Sequence, residues 1–235
     1  MILGSAAVEK LAASHVCVFG LGGVGSYAVE ALARSGVGTL TLVDQDVYSE
    51  SNINRQLGAL TSTVGQSKAH VLARRVLDIN PNCTVNPILA RYETETAESL
   101  FGPYDYIVDA IDLVACKVDL ICRAGEKGIP IISALGTGNK LDPTLLQVTD
   151  LSKTYGCPLA RVMRRELGRL GIRHLKVVFS PEEPAPTAQL EAPPPGRRSV
   201  PASVPWVPSV AGLMLGGAVV MDLVKNTGKE STAAE

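Results

Sequence analysis

Paired metal-binding cysteines are missing from this chain, which has five cysteines among its 235 residues. None of Cys17, Cys83, Cys116, Cys122 and Cys157 belongs to a C-x-x-C pair, so the sequence does not predict structural zinc. Their odd number, together with the lack of a secretory leader at the N-terminus, predicts reduced thiols and a cytoplasmic protein.

A strong charge of either sign and a long hydrophobic run are also missing. The formal net charge is -1, so no overall field attracts nucleic acid or a membrane, and any basic surface must be local. The apolar run at residues 210–221 is too short for a membrane span, which needs roughly 20 apolar residues. We expect a buried helix over residues 206–225 instead, in which Gly212, Gly216 and Gly217 allow close packing.

Alternation of apolar and amphipathic segments indicates the fold. Hydrophobic residues make up 46% of the chain, which is enough for a substantial core. The predicted strands cover residues 15–19, 39–43, 84–89, 106–109, 129–133 and 145–148, and the clearest predicted helices cover 24–35, 65–79 and 114–127. This order predicts an α/β fold with a doubly wound, mostly parallel, Rossmann-like sheet and a C-terminal extension.

The composition changes towards the C-terminus, where eight prolines fall between residues 180 and 205. We therefore expect a nucleotide-binding domain over residues 1–150 and the extension over 151–235. The extension is predicted to contain a basic helix, a mobile proline-rich loop over 180–205 and the buried helix.

A glycine-rich turn joins the first predicted strand to the first of these helices. Its sequence, VCVFGLGGVG at residues 16–25, supplies Gly20, Gly22, Gly23 and Gly25. Such a turn lets a phosphate approach the backbone amides at a helix N-terminus. The pattern alone fits ATP, a dinucleotide cofactor or a turn without any ligand.

Carboxylates follow two further predicted strands. Asp44 and Asp46 come about 20 residues after the glycines, where carboxylates accept hydrogen bonds from ribose hydroxyls; alternatively they end the strand and shape a turn. Asp112 lies just beyond the strand that ends at Asp109. It is placed either to cap the next helix or to hold Mg²⁺ together with substrate phosphates, and the two roles are compatible.

A cluster of cationic and amide side chains favours a polyphosphate ligand. Asn52, Arg55 and Gln56 fall at i, i+3 and i+4, and share one face if the segment is helical. Lys68 lies in the first turn of a predicted helix, where the helix dipole disfavours a cation unless an anion is bound nearby. The alternatives are that Arg55 and Lys68 are solvated surface cations and that the amides form turns.

Five motifs in this order resemble those of the adenylating enzymes related to ThiF, HesA and MoeB, the bacterial relatives of ubiquitin-activating enzymes. They are GLGGVGS at 20–26, D-x-D at 44–46, SNINRQ at 51–56, VGQSKA at 64–69 and the segment around Asp112. The resemblance implies that residues 1–150 are an ATP-binding adenylation domain. It implies that the glycine turn and Asp44 hold adenosine, that Asn52, Arg55, Gln56 and Lys68 hold the phosphates, and that Asp112 holds Mg²⁺.

The segment after residue 146 indicates the branch of this family. QVTDLSKT at 147–154, followed by CPLA at 157–160 and an arginine-rich helix, is similar to the tRNA threonylcarbamoyladenosine dehydratases, which activate a carboxylate with ATP before it closes into a ring. Adenylation of a ubiquitin-like sulfur carrier is the alternative, although those branches often carry two C-x-x-C pairs. An NAD-dependent oxidoreductase and a non-catalytic ATP-binding module remain further alternatives.

A basic stripe supports an RNA partner. We expect Leu159, Val162, Met163, Leu167 and Leu170 on one face of the arginine-rich helix, and its arginines mostly on another. The predicted tRNA-binding residues are Arg161, Arg164, Arg165, Arg169, Arg173, His174 and Lys176. Arg197 and Arg198 in the proline-rich loop would add contacts if that loop folds over the crevice. A solvated basic face is the alternative.

The resemblance also implies a homodimer and an N-terminal arm whose arginine reaches the ATP of the other subunit. This chain begins at Met1, just past the place of that arm, so we expect either a truncated start or another cation in its role.

Some relatives pass sulfur or an acyl group through a cysteine. Cys157 is therefore either a packing residue or a reactive thiol, and a sulfur-transfer protein is a possible partner.

Overall fold

The computed structural model describes residues 2–186 and 202–225. The helices are α1 (Ser5–Ala12), α2 (Gly25–Arg34), α3 (Lys68–Ile79), α4 (Val114–Glu126), α5 (Pro158–Arg169) and α6 (Trp206–Leu223). The strands are β1 (His15–Phe19), β2 (Thr39–Val43), β3 (Thr84–Ile88), β4 (Tyr106–Asp109), β5 (Ile131–Ala134), β6 (Gln147–Asp150) and β7 (Lys176–Phe179).

The strands form one sheet in the order β3-β2-β1-β4-β5-β7-β6. Every pairing is parallel except that of β6 with β7, which is antiparallel. From β1 the chain passes to β2 and β3 on one side, and from β3 it crosses back to β4 on the other side of β1. This change of direction leaves a crevice at the carboxyl ends of β1 and β4. The predicted α/β, mostly parallel, Rossmann-like sheet is confirmed.

Two elements were not predicted from the sequence, and two strands are displaced from their predicted positions. Helix α1 and strand β7 are the additions; β7 has only four residues, of which Val177, Val178 and Phe179 are buried. Strand β5 begins two residues later than predicted, directly after Pro130, which has no amide hydrogen to donate to a sheet. Strand β6 is also displaced by two residues, because Pro143–Leu145 forms a 3-10 turn.

The last helix packs against the first helix after the glycine turn. Residues Val207, Ala211, Leu215 and Val219 of α6 are fully buried in the main core, as predicted for this segment. By length and composition, α6 is also the one helix among the described residues that is apolar enough to cross a membrane. The predicted boundary at residue 150 falls within the sheet, between β6 and β7.

Glycines account for the close approach of α6 to α2. A Cβ atom on Gly212 would lie 2.2 Å from the carbonyl oxygen of Val24, and one on Gly216 would lie 2.6 Å from Cβ of Ala31. Gly217 differs, because a Cβ atom there would meet no atom within 4 Å. Two of the three glycines expected to allow close packing therefore do so.

This difference predicts opposite effects of the same substitution at two positions in α6. Gly212→Ala should lower the free energy of unfolding by about 1–3 kcal/mol, because the added methyl group meets backbone that cannot move away cheaply. Gly217→Ala should leave stability unchanged or raise it by up to about 1 kcal/mol, because alanine has the higher helix propensity. Urea unfolding of both variants measures this, and equal stabilities would contradict the packing described here.

Candidate nucleotide-binding site

A cavity of about 730 Å³ lies along the carboxyl ends of β1, β2, β4 and β5. Its volume is in the range of small-molecule sites. The predicted site residues that line it are Gly20, Gly22, Gly23, Asp44, Asp46, Asn52, Arg55, Gln56, Lys68 and Asp112. The fold therefore brings these residues, which span more than 90 positions in sequence, into one site.

The glycine turn is shaped by two close backbone contacts. Gly20 has φ of 85°, and a Cβ atom on it would lie 2.6 Å from the carbonyl oxygen of Ala110. A Cβ atom on Gly25 would lie 1.8 Å from the carbonyl oxygen of Gly20, so Gly25 acts by packing and does not line the cavity. Gly22 is more open, since its nearest neighbour would be Nε2 of Gln56 at 3.8 Å. Space therefore remains above the turn for a ligand.

Asp44 ties the glycine turn to β2. One carboxylate oxygen accepts a hydrogen bond from the backbone N–H of Leu21 at 2.6 Å, and the other accepts one from the N–H of Asp46 at 2.8 Å. Asp44 thus shapes the turn. A carboxylate has about four acceptor positions, so lone pairs remain for ribose hydroxyls.

Lys68 has a carboxylate partner within the site. Its Nζ donates to Asp46 at 2.9 Å, and the lysine is only 5% exposed, whereas the Asp46 side chain is half exposed. The anion expected near the first turn of α3 is therefore supplied by Asp46 in the protein itself. This ion pair also gives Asp46 a different contact from the ribose hydroxyls expected for it.

A helical turn brings together three of the residues that were predicted to bind phosphate. The backbone N–H groups of Arg55 and Gln56 both donate to the carbonyl of Asn52, at 3.1 and 2.9 Å. The Arg55 guanidinium donates to the carbonyl oxygen of Ser51 and to Oδ1 of Asn54, both at 2.8 Å. Gln56 is 7% exposed, and its Oε1 has no hydrogen-bond partner among the described residues. An unsatisfied buried oxygen beside the cavity favours a ligand that donates to it.

Three buried polar residues below the cavity were not identified from the sequence. Lys117 Nζ donates to Asp109 at 2.8 Å and to Ser133 at 3.1 Å, and Ser133 donates to the same Asp109 oxygen at 2.6 Å. The other Asp109 oxygen accepts from the N–H of Ile111 at 3.1 Å. This triad fixes the turn that leads to Asp112. A lysine within an amphipathic helix gives no sequence signal of such burial.

The donors around Asp112 fit a magnesium ion that arrives with a nucleotide. Asp112 is exposed and lines the cavity. Within residues 2–186 and 202–225 there is no group of three or more His, Cys, Asp or Glu side chains arranged to hold a metal. Mg²⁺ commonly takes one or two carboxylates together with substrate phosphates and water, and the carboxylate of Asp112 beside the residues predicted to bind phosphate would meet that requirement.

Helix α5 begins at the edge of the cavity, where Cys157, Pro158 and Leu159 contribute to the lining. Cys157 is 2% exposed, and its Sγ accepts from the N–H of Ala160 at 3.5 Å. The burial of the thiol and its hydrogen bond at the N-terminus of α5 indicate a packing role for Cys157. A Cβ atom on Gly136 would lie 2.3 Å from the sulfur, so the loop after β5 packs closely on it.

Parts of the predicted basic stripe are wrong. Lys176 lies in β7 and donates to Asp222 of α6 at 2.5 Å. Its side chain lies on the α6 face of the sheet, because Val177 and Phe179 occupy the α5 face and side chains alternate along a strand. Arg164 donates to the backbone carbonyl of Thr154 at 2.7 Å. Leu170, expected on the apolar face, is 57% exposed because α5 ends at Arg169.

The remaining basic residues are exposed. The exposed arginines are Arg161, Arg165, Arg169 and Arg173. Glu166 forms ion pairs with Arg165 at 2.7 Å and with Arg169 at 2.9 Å. His174 is exposed and contacts Asp150 at 3.3 Å. Arg197 and Arg198 lie outside the described residues, as does residue range 187–201 of the predicted mobile loop.

The two described ends of the proline-rich segment are attached to the loop after β5. The N–H of Ala185 donates to the carbonyl of Asn139 at 2.8 Å, and the N–H of Ala202 donates to Asn139 Oδ1 at 2.7 Å. Glu182 accepts from the N–H groups of Leu141 and Asp142 at 2.9 and 3.1 Å. The segment therefore starts and finishes at the rim of the cavity.

A sequence profile of the ThiF family matches residues 1–228. The chain belongs to the ThiF family. Among curated relatives, this ThiF-family chain is 44% identical to the tRNA threonylcarbamoyladenosine dehydratase of Bacillus subtilis (strain 168) over 236 residues, covering 96% of the chain and 93% of that protein. It is 41% identical to the Escherichia coli (strain K12) enzyme of that name over 194 residues, covering 77% and 71%.

Solved structures of the Escherichia coli dehydratase agree with the ThiF-family assignment. The complex with AMP superimposes with a TM-score of 0.85 at 34% identity, covering 97% of this chain and 93% of that chain. The complex with ATP gives a TM-score of 0.81 at 34% identity, covering 100% and 93%. The recognition of this family from sequence motifs is confirmed.

The buried triad makes a prediction about stability. Lys117→Met should lower the free energy of unfolding by about 3–5 kcal/mol, because the Asp109 carboxylate is left buried without its cation. Adding Asp109→Asn to that variant should recover part of the loss, since a neutral amide needs no counterion. Urea unfolding measures both, and a single variant as stable as the wild type would show that the pair does not hold the turn.

Proposed function

We propose that this protein activates a carboxylate on threonylcarbamoyladenosine in tRNA with ATP, after which the modified side chain closes into a ring. The observation that carries the proposal is the single cavity that joins the glycine turn, the cations Arg55 and Lys68, and the carboxylate of Asp112. The names of the closely related dehydratases and the ATP and AMP complexes support the same activity.

The reaction needs no nucleophilic side chain. A substrate carboxylate oxygen attacks the α-phosphorus of ATP, the bond from that phosphorus to the bridging oxygen breaks, and pyrophosphate leaves. The acyl-adenylate then has a reactive carbonyl carbon. A nitrogen of the substrate attacks that carbon, loses its proton and expels AMP, which carries away the oxygen that made the attack.

Positioning and electrostatics supply the catalysis in this mechanism. The Gly22 face of the turn admits the phosphates, and Arg55 and Lys68 stabilise the negative charge that develops on the departing pyrophosphate. Lys68 is held at 2.9 Å from Asp46, so its ammonium is already oriented before the nucleotide binds. A Mg²⁺ ion at Asp112 would add charge stabilisation at the phosphates.

The tRNA-binding surface we propose starts where the cavity opens. Helix α5 begins at the cavity lining and presents Arg161, Arg165 and Arg169 at four-residue spacing, with Arg173 beyond its end. Residues 161 and 169 are about 12 Å apart along the helix axis, since each residue rises about 1.5 Å. This row can follow a phosphate backbone while the modified base enters the cavity. We place the protein in the cytoplasm, as a homodimer.

Pyrophosphate release separates this proposal from its rivals. Wild-type protein with ATP and Mg²⁺ should release pyrophosphate with tRNA that carries threonylcarbamoyladenosine, and not with unmodified tRNA or a ubiquitin-like carrier. Lys68→Ala and Asp112→Ala should each reduce the rate at least about 100-fold, because each removes charge stabilisation from the phosphates. Lys10→Ala and Asp78→Ala, exposed residues of α1 and α3, are the matched controls and should keep the wild-type rate. Release with the carrier alone would assign the alternative adenylation activity.

Salt dependence tests the proposed RNA surface. Changing Arg161, Arg165 and Arg173 together to Gln should raise KM for the modified tRNA and flatten its dependence on salt. The log–log slope should fall by roughly one unit for each phosphate that the protein no longer neutralises. Arg74→Gln, at an exposed position of α3, should change neither quantity. An unchanged slope in the triple variant would mean that tRNA binds elsewhere.

A further inference from the structure

One lysine in the cavity has no role in the nucleotide site described above. Lys140 ends the loop that follows β5, lines the cavity, and is 2% exposed. Its Nζ has no hydrogen-bond partner among the residues that the structure describes. A buried ammonium without a partner is costly, so its presence beside a cavity points to an anion that completes it.

The surroundings of Lys140 do not supply that anion. The titratable groups facing it are Cys157 of α5 and Glu182 and Glu183 of the segment after β7. Glu182 is engaged by two backbone N–H groups, at 2.9 and 3.1 Å, and Glu183 is exposed. Burial lowers the pKa of Lys140, and the three neighbours oppose that effect only in part.

The loop that carries Lys140 is held firmly. Asn139 exchanges backbone hydrogen bonds with Ala185 and Ala202 at 2.8 Å, and its own φ is 57°. Trp206 Nε1 donates to the carbonyl of Leu141 at 2.7 Å on the other side of the lysine. The ammonium is therefore presented to the cavity by a loop fixed at both neighbouring residues, which is the condition for a preorganised binding group.

Position in the sheet indicates which anion Lys140 meets. Asp44 directly follows β2, and Lys68 is paired with Asp46 at the same end of that strand. Lys140 follows β5 instead. The sheet order places β1 and β4 between β2 and β5. Neighbouring strands are about 4.8 Å apart, so the two groups of residues are separated by roughly 14 Å across the sheet. The lysine is next to Cys157 and the start of α5, on the side where the proposed tRNA surface meets the cavity.

We propose that Lys140 binds the carboxylate of the substrate, holding one of its oxygens while the other faces the α-phosphorus of ATP. This inference rests on the proposed adenylation of a tRNA-borne carboxylate, and it names the group that recognises that carboxylate. The nucleotide half of the cavity and the carboxylate half then have separate cations. Lys140 contacts the substrate and leaves the binding of ATP to Arg55, Lys68 and the glycine turn.

The test compares Lys140→Met, which keeps most of the side-chain length and removes the charge, with the wild type. Pyrophosphate release with modified tRNA should show kcat/KM for the tRNA reduced about 10- to 100-fold, the effect of losing one hydrogen bond to a charged group. The dissociation constant for ATP, measured without tRNA by calorimetry, should stay within about twofold of the wild type. Lys68→Ala is the contrasting control, because it should weaken ATP binding itself.

A pH profile adds a readout that a merely structural lysine would not change. The ammonium binds the carboxylate only when protonated, so the wild-type kcat/KM for tRNA should fall as pH rises through the lowered pKa of Lys140. Lys140→Arg should remove that alkaline limb, because its guanidinium stays charged.

The outcomes separate the two proposals. The role of Lys140 would be overturned if Lys140→Met kept the wild-type kcat/KM for tRNA, or if the variant lost affinity for ATP instead. Either result would leave the adenylation proposal standing. Absence of pyrophosphate release by the wild type would overturn both. If Lys140→Met unfolds, Lys140→Gln is judged by the same criteria, and failure of both to fold would make the lysine structural and overturn its proposed role.

Discussion

The contact between the glycine turn and the loop after β4 is the constraint on which the rest of the site depends. Gly20 approaches Ala110 so closely that a Cβ atom would lie 2.6 Å from its carbonyl oxygen, and the Lys117–Asp109 pair fixes that loop from below. The same contact holds the carboxyl ends of β1 and β4 together and leaves the crevice above them open. Packing and ligand space are thus two results of one backbone arrangement.

The cations around this crevice differ in how they are balanced. Lys68 has the Asp46 carboxylate, and Arg55 has backbone and amide oxygens, so both cations of the nucleotide half have partners before any ligand arrives. Lys140 has no such partner among the described residues. The protein therefore carries its uncompensated charge on the side of β5, where we place the second substrate, and this asymmetry orders the two substrates along the cavity.

Short-range sequence patterns predicted most of the strands and the turn that shapes the candidate site. The apolar runs of β1, β2 and β4, the glycine turn and the positions of Asp44 and Asp112 all follow from residues close together in sequence. β7 was missed because its apolar run at 177–179 is short, and α1 because its helical pattern is short. The Lys68–Asp46 pair, the burial of Lys117 and the isolation of Lys140 depend on contacts between distant segments, which no local pattern records.

Transfer of oxygen from substrate to nucleotide tests the central claim most directly. Modified tRNA whose threonylcarbamoyl carboxylate is labelled with ¹⁸O would be turned over with unlabelled ATP, and the AMP would be analysed by mass spectrometry. Attack of the carboxylate on the α-phosphorus predicts one labelled oxygen in AMP and none in pyrophosphate. Unlabelled AMP from a completed reaction would contradict the account.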